Sequence, residues 1–263
     1  MIIGDLFQFE QRWRDRRAVW VPKKPLFDST RYSVDIVPEA LAKHFVVKHH
    51  YSGTYPAARF RVGLFREEEL VGVAVFSQPV SQQVISRYAD IDPNEGVELG
   101  RFVLLDSCKY NAETWFLSRA QKLLKKHKGT RFCLSYSDPI PRHDDEGNLI
   151  KPGHIGQIYQ ALNASYFGRS SSSTLWLMPD GRVINQRSLG KVRRGESGKD
   201  YATAQLIRGG APPPLPGESG ASYVQRIDPY FRKIRHPGNL AYGWRFDKHV
   251  KLKLPELGYV KLA

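Results

Sequence analysis

The 263-residue sequence predicts a mixed α/β fold, and three observations carry that expectation. Several runs of apolar residues have strand character, one long segment repeats its apolar residues at helical spacing, and the elements alternate in the order β-β-β-α-β-α-β. The most informative stretch is residues 98–139, ELGRFVLLDSCKYNAETWFLSRAQKLLKKHKGTRFCLSYSDP. It reads as a strand, a short polar turn, an amphipathic helix and a second strand that ends on an acid. A strand running into a helix N-terminus is a natural place for phosphates, because the first backbone N–H groups of a helix have no partner inside it.

Taken in order, residues 1–35 are rich in Arg, Trp and Pro and lack a clean period. They are expected to form an N-terminal arm that either wraps the main domain or reaches a polyanion. Residues 37–50 have helical spacing at Leu41, Phe45 and Val46, with Pro38 suited to a first turn. A polar, aromatic loop follows, containing Tyr51, Gly53, Tyr55 and Pro56. Residues 60–80 read as a hairpin, two apolar strands around the charged turn Arg66 to Glu69. A further strand spans 97–105. The next helix covers about 112–126, with Phe116, Leu117, Ala120, Leu123 and Leu124 on one face and lysines in its last turn, where they suit the helix dipole. Residues 131–136 read as a buried strand and 155–162 as a short helix. Residues 173–178 and 182–185 form a hairpin around Pro179-Asp180-Gly181. Beyond Gln186 the chain turns basic and polar, then passes through the Pro/Gly-rich stretch 209–222, and strand character returns at 242–246. The expected organisation is therefore an arm at 1–35, a core at 36–186 and a basic extension at 187–263 whose last strands complete the core.

Bulk composition narrows the function classes. With 41% hydrophobic and 25% charged residues the chain is an ordinary globular protein. No run approaches a membrane span, and the first residues lack the apolar centre of a signal peptide, so a cytoplasmic protein with no membrane partner is expected. Two cysteines, Cys108 and Cys133, exclude a disulfide framework and read as small buried hydrophobes. The formal net charge is +14, spread along the whole chain, which favours polyanionic partners, nucleic acid first. The segments Arg187, Lys191, Arg193, Arg194 and Arg232, Lys233, Arg235 are the ones expected to hold phosphates.

Candidate chemistry lies on a few residues. His50 and Tyr51 end the first helix and enter the loop; a cleft-facing base or ligand and a surface residue are both open readings. Asp138 closes a strand before Pro139, where carboxylates of α/β sheets line the cleft or simply cap a turn. Asn111 reads as a helix N-cap with Glu113 in the first turn. Arg101, on the preceding strand, is placed to meet a phosphate or carboxylate. Ser118 offers a hydroxyl one turn into the helix, and Tyr159 a proton donor, a stacking ring or a packing aromatic. Asp144, Asp145 and Glu146 read as a solvated acidic turn.

The succession HHYSGTYP, ELGRFVLLDS, NAETWFLSRAQKLLK, YSDP, GHIGQIYQALNASYFG and RKIRHPGNLAY resembles the Mom-type phage DNA-modification proteins, which are similar in fold to the GNAT acyltransferases. The resemblance implies a GNAT-like core with a central mixed sheet flanked by helices. It implies addition of a carbamoylmethyl (acetamido) group to N6 of adenine, which blocks restriction endonucleases in the host cytoplasm. Its substrate would be double-stranded DNA with the adenine flipped out. Arg101, Asn111, Glu113 and Ser118 would then line the cofactor, acetyl-CoA or a related donor. His50, Tyr51 and Asp138 would match an iron-binding cluster, and His50, Tyr51, Asp138 and Tyr159 the catalytic set. The Gly-rich pyrophosphate loop of ordinary GNAT enzymes is replaced here by residues 109–113. Two other functions remain open at this level: an acetyl-CoA-dependent N-acyltransferase acting on a protein or small amine, and a non-catalytic DNA-binding protein.

Overall fold

The computed structural model describes residues 9–14, 17–22, 27–109, 111–151, 153–184 and 186–260. The chain forms two compact units that interleave along the sequence: residues 1–139, 153–170 and 239–263 make the first, and residues 140–152 and 171–238 the second. The composition change at Gln186 thus falls inside the second unit.

The first unit opens with a hairpin of β1 (Phe9–Arg14) and β2 (Arg17–Pro22). The rest of the expected arm divides: residues 1–8, 15–16 and 23–26 lie outside the described residues, whereas 32–35 already belong to the main sheet. That sheet contains β3 (Tyr32–Ile36), β4 (Ala58–Arg66), β5 (Glu69–Ser77), β6 (Gly96–Leu104), β7 (Phe132–Ser137), β10 (Ser165–Arg169) and β14 (Leu240–Arg245), in the spatial order β10-β14-β7-β6-β5-β4-β3. Every neighbouring pair is antiparallel except β6 and β7, which are parallel. The mixed sheet expected from the sequence is the observed one.

Helices cover both faces. α1 (Glu39–His49) lays Ala42, Phe45 and Val46 on Val73, Val75 and Val103. α2 (Gln82–Tyr88) packs Ile85 and Tyr88 against Phe132, Leu134 and Phe167. On the opposite face α3 (Ala112–Lys128) buries Ala112, Phe116, Leu117, Ala120 and Leu124 against Phe60, Val62, Leu64, Val97 and Leu99. The short α4 (Gln157–Ala161) adds Tyr159 to the same core. Spacing of the apolar residues at three and four positions is what gives α3 its single buried stripe, and Gly129, at φ +59, ends it in the left-handed conformation that glycine adopts without strain. Full burial of a leucine or phenylalanine in such a stripe is worth about 1.5–3 kcal/mol.

The second unit has two small sheets and a helical cluster. β8 (Arg142–His143) pairs with β9 (Leu149–Lys151), and β11 (Ser173–Leu177) lies between β12 (Val183–Ile184) and β13 (Arg232–His236). The expected hairpin around Pro179-Asp180-Gly181 is β11–β12; Asn185, assigned to its second strand from the sequence, lies outside the described residues. α5 (Gln186–Arg194), α6 (Lys199–Arg208) and α7 (Gly220–Ile227) occupy a stretch that reads as basic and polar in sequence. They fold because Leu189, Val192, Ala202, Leu206, Tyr223, Val224 and Ile227 meet in one apolar cluster.

Candidate active site

The parallel pairing of β6 with β7 lasts for three residue pairs, Gly96–Phe132, Val97–Cys133 and Glu98–Leu134. Beyond Glu98 the two strands part. β7 keeps its hydrogen bonds to β14 as far as Ser137, and β6 keeps its own to β5 as far as Leu104. The facing edges therefore leave the β-ladder in the middle of the sheet. A bulge sits at the parting: Val75 opposes Arg101 and Phe76 opposes Leu99, so Gly100 is extra on β6. A Cβ there would crowd the Ser77 hydroxyl and lie 3.2 Å from the Ser77 Cβ, so glycine lets the two strands approach closely. Ser135 donates its hydroxyl to the Leu99 carbonyl at 3.5 Å, the last link between the two strands. Two residues on, the Ser137 hydroxyl is buried and has no hydrogen-bond partner among the described residues.

Four polar side chains converge on this opening. Arg101 leaves β6 and donates to the Thr54 carbonyl at 3.0 Å and to the Thr54 hydroxyl at 2.7 Å, fastening the loop that follows α1. Burial pulls its guanidinium below the ordinary value, and Tyr51 and Glu98 act in the opposite sense. The Tyr51 ring lies 4.2 Å from that of His50. Tyr159, nearly buried on α4, interacts electrostatically with Tyr51 and Glu98 and is pushed up to about 12 by burial. Glu98 is the fourth. Burial raises its carboxyl above the ordinary range, and Arg101 opposes that shift. Among the described residues its carboxylate takes neither a hydrogen bond nor an ion pair.

Sequence reasoning passed over Glu98, because an acid alternating with Val97 and Leu99 reads as the solvent side of a strand. The signal that would have found it is the missing partner strand, which no sequence pattern displays. The Tyr55 hydroxyl, on the loop that follows α1, is buried without a partner among the described residues and is pushed up to about 12 by burial.

Asn111 calls for a correction of mechanism. It occupies the N-cap position of α3, but at φ +72 with no side-chain cap bond. Its carbonyl accepts instead from the Trp115 N–H at 3.1 Å and the Thr114 hydroxyl at 3.2 Å. Asparagine tolerates the left-handed conformation, which turns the chain sharply out of the loop. The first-turn N–H groups of α3 are thus left uncapped by that side chain. Glu113 lies in this first turn and Ser118 is half-buried further along the helix. The Gln121 amide nitrogen, buried and without a partner among the described residues, lies one turn beyond Ser118.

His50 Nδ1 faces Ser52, 2.9 Å from its hydroxyl and 3.1 Å from its backbone nitrogen. Asp138 follows β7, and its carbonyl accepts from the His154 N–H at 2.9 Å. Among the described residues no group of three or more His, Cys, Asp or Glu side chains is gathered to hold a metal ion. The cysteines are both buried, as read from the sequence, and burial drives the Cys133 thiol far up.

The expected DNA contacts lie in the second unit. Arg187, Lys191, Arg193 and Arg194 give α5 four cations and no acid. Arg194 pairs with Glu196 at 2.5 Å. On β13, Arg232 donates to the His143 carbonyl at 2.5 Å, Lys233 pairs with Asp228 at 2.8 Å and Arg235 donates to the Ser172 hydroxyl at 2.7 Å. Such exposed pairs are worth little and leave the cations available to a stronger anion.

With this geometry in view, the Mom protein family model matches residues 31–213. The chain belongs to the Mom family. A search of curated proteins returned no match. Among solved structures, this Mom family member is similar to the ribosomal-protein-S5-alanine acetyltransferase from Vibrio fischeri, at 10% identity and a TM-score of 0.36, covering 59% of this chain and 90% of that one. It is also similar to a tandem GNAT protein from the clavulanic acid biosynthesis pathway, at 8% identity and a TM-score of 0.36, covering 82% and 75%. A third is a GNAT family acetyltransferase from Elizabethkingia anophelis with acetyl-CoA bound, at 11% identity and a TM-score of 0.31, covering 82% and 99%. No helix among the described residues of this Mom family member is long and apolar enough to cross a membrane.

Proposed function

We propose that this chain is a transferase that adds a carbamoylmethyl (acetamido) group to N6 of adenine in double-stranded DNA, protecting that DNA from restriction endonucleases. The observation that carries the reading is the parting of β6 from β7 with Glu98, Arg101, Tyr51 and Tyr159 gathered at it. Membership of the Mom family supports the substrate, and the net charge of +14 supports a polyanion.

The exposed edge of β6 beyond Glu98 suits an extended donor that completes the ladder with its own amide groups, as an acyl-CoA arm can. The uncapped first turn of α3 suits its phosphates. The carbamoylmethyl group reaches N6 through its methylene carbon, so its donor would carry the leaving group on that carbon; a thioester activates the acyl carbon and would leave an acyl group on N6 instead. The transfer forms the N6–methylene bond, breaks the methylene–leaving-group bond and releases one proton from N6. Glu98, made a better base by the burial that raises its carboxyl, accepts that proton, and the Tyr159 hydroxyl protonates the leaving group. Arg101 holds the loop that carries Tyr51, which stacks on the flipped base.

Nucleoside mass spectrometry of DNA from expressing cells tests substrate, reaction and product together. A heavier deoxyadenosine is expected; unmodified nucleosides from cells containing soluble protein would sink the reading. Calorimetry with acetyl-CoA and with duplex DNA separates it from an acyltransferase of proteins or small amines, which would bind the first and ignore the second.

A further inference from the structure

The Pro/Gly-rich stretch of the second unit has a defined structure that the proposed chemistry leaves unused. It carries Pro212, Pro213, Pro214, Leu215 and Pro216 in succession, with the Leu215 residue 57% exposed. Consecutive prolines keep φ near −65° and stiffen the backbone. Three side chains then fix it in place. The buried Tyr223 donates its hydroxyl to the Pro212 carbonyl at 2.9 Å, and Arg226 donates to the Pro213 carbonyl at 2.9 Å. Glu218 accepts the Leu215 N–H at 2.9 Å and two bonds from Arg226, both at 2.8 Å. Its side chain is only 9% exposed, and these donors hold its carboxyl down to about 2.

The base of the loop is located as firmly. A Cβ on Gly220, the first residue of α7, would lie 2.0 Å from the Val192 carbonyl oxygen, so α7 begins in direct contact with the C-terminal end of α5. That end exposes Arg193 and Arg194. A partly exposed ion pair and a buried tyrosine therefore hold a large apolar side chain out in solvent, next to a helix with four cations and no acid. Leucines and prolines presented this way beside arginines are the side chains that enter a base step when a protein kinks or opens a duplex, while the cations hold the phosphates.

We propose that residues 212–216 form an apolar wedge that inserts Leu215 between base pairs of duplex DNA held by α5. The inference rests on the reading of DNA as substrate, and it adds the device that offsets the unstacking needed to free an adenine.

A wedge unwinds DNA of any sequence, so the probe is relaxed plasmid treated with topoisomerase I in the presence of the full-length protein. The wild type is expected to shift the topoisomer distribution. L215A should still bind a mixed-sequence 30-base-pair duplex with the wild-type salt slope, leave the topoisomers unshifted, and lower the modified deoxyadenosine fraction about tenfold or more. L215F should restore the shift, which a merely unfolded loop could not do. Wild-type protein that binds duplex without shifting topoisomers, or L215A that shifts them as the wild type does, overturns the wedge and leaves the proposed reaction standing. Wild-type protein with no salt-dependent duplex binding overturns both.

Discussion

The parting of β6 and β7 and the clamp around Glu218 use buried polarity in opposite ways. At the parting, Glu98 and Ser137 are held away from solvent with hydrogen-bonding capacity unspent among the described residues. At the clamp, Glu218 lies nearer solvent and its carboxylate is met by Arg226 and the Leu215 N–H. An unmet buried polar group costs stability and is retained where it meets something else; a fully met one fixes geometry. The first region has the character of a reaction site and the second that of a rigid support.

The comparison breaks most sharply at Glu98 and Tyr159. E98Q and Y159F should each lower DNA modification by about a hundredfold or more, as expected for loss of a positioned acid or base, with the fold retained by circular dichroism. The sign for stability is separate. Burial raises the folded-state value of Glu98, so its favourable contribution is present at low pH and is lost as pH rises through that raised value. E98Q should therefore melt higher than wild type at neutral pH, with the gap closing in acid. An E98Q protein that melts lower at neutral pH would show the carboxylate to be structurally paired.

Next in size is Gly220→Ala, whose methyl meets backbone and cannot be accommodated by a side-chain rotation. Overpacking of this kind costs about 1–3 kcal/mol, measurable by denaturant unfolding. E218Q tests the clamp through pH. A carboxyl held down to about 2 contributes stability above its ordinary value and loses it as pH falls through about 2. E218Q should thus melt lower than wild type at pH 7, and the difference should fade as the solution is acidified. The smallest expected effect is R119A: Arg119 lies 3.7 Å from the Trp115 ring centre on the exposed side of α3, a contact worth about 0.5–1 kcal/mol. Its loss should leave modification unchanged.

How much was legible in the sequence follows from the range of the interactions. α3 could be read from its apolar stripe, the β4–β5 hairpin from its charged turn, and β11–β12 from Pro-Asp-Gly, since each is decided by neighbours in sequence. α5 to α7 could not, because most of their residues are polar and the few apolar ones, such as Leu189, Val192 and Leu206, show their purpose only when three helices meet. In the site, Arg101 and Tyr159 stood out by residue type. Glu98 did not, since what distinguishes it is a strand that turns away from it. The left-handed backbone of Asn111 and the contacts of His50 Nδ1 with Ser52 are likewise products of the fold.

The position of β14 has a consequence for how the chain is made. It lies between β7 and β10, and most of the second unit, residues 171–238, is encoded between β10 and β14. When β10 leaves the ribosome, the strand it pairs with does not yet exist. The far edge of β7 stays unsatisfied until the whole insertion has emerged. Completion of the sheet is thus among the last events of synthesis, and the long sequence separation between β7 and β14 predicts slow closure. A chain truncated before Leu240 would lack the strand that joins the two, and should emerge with open strand edges prone to aggregation.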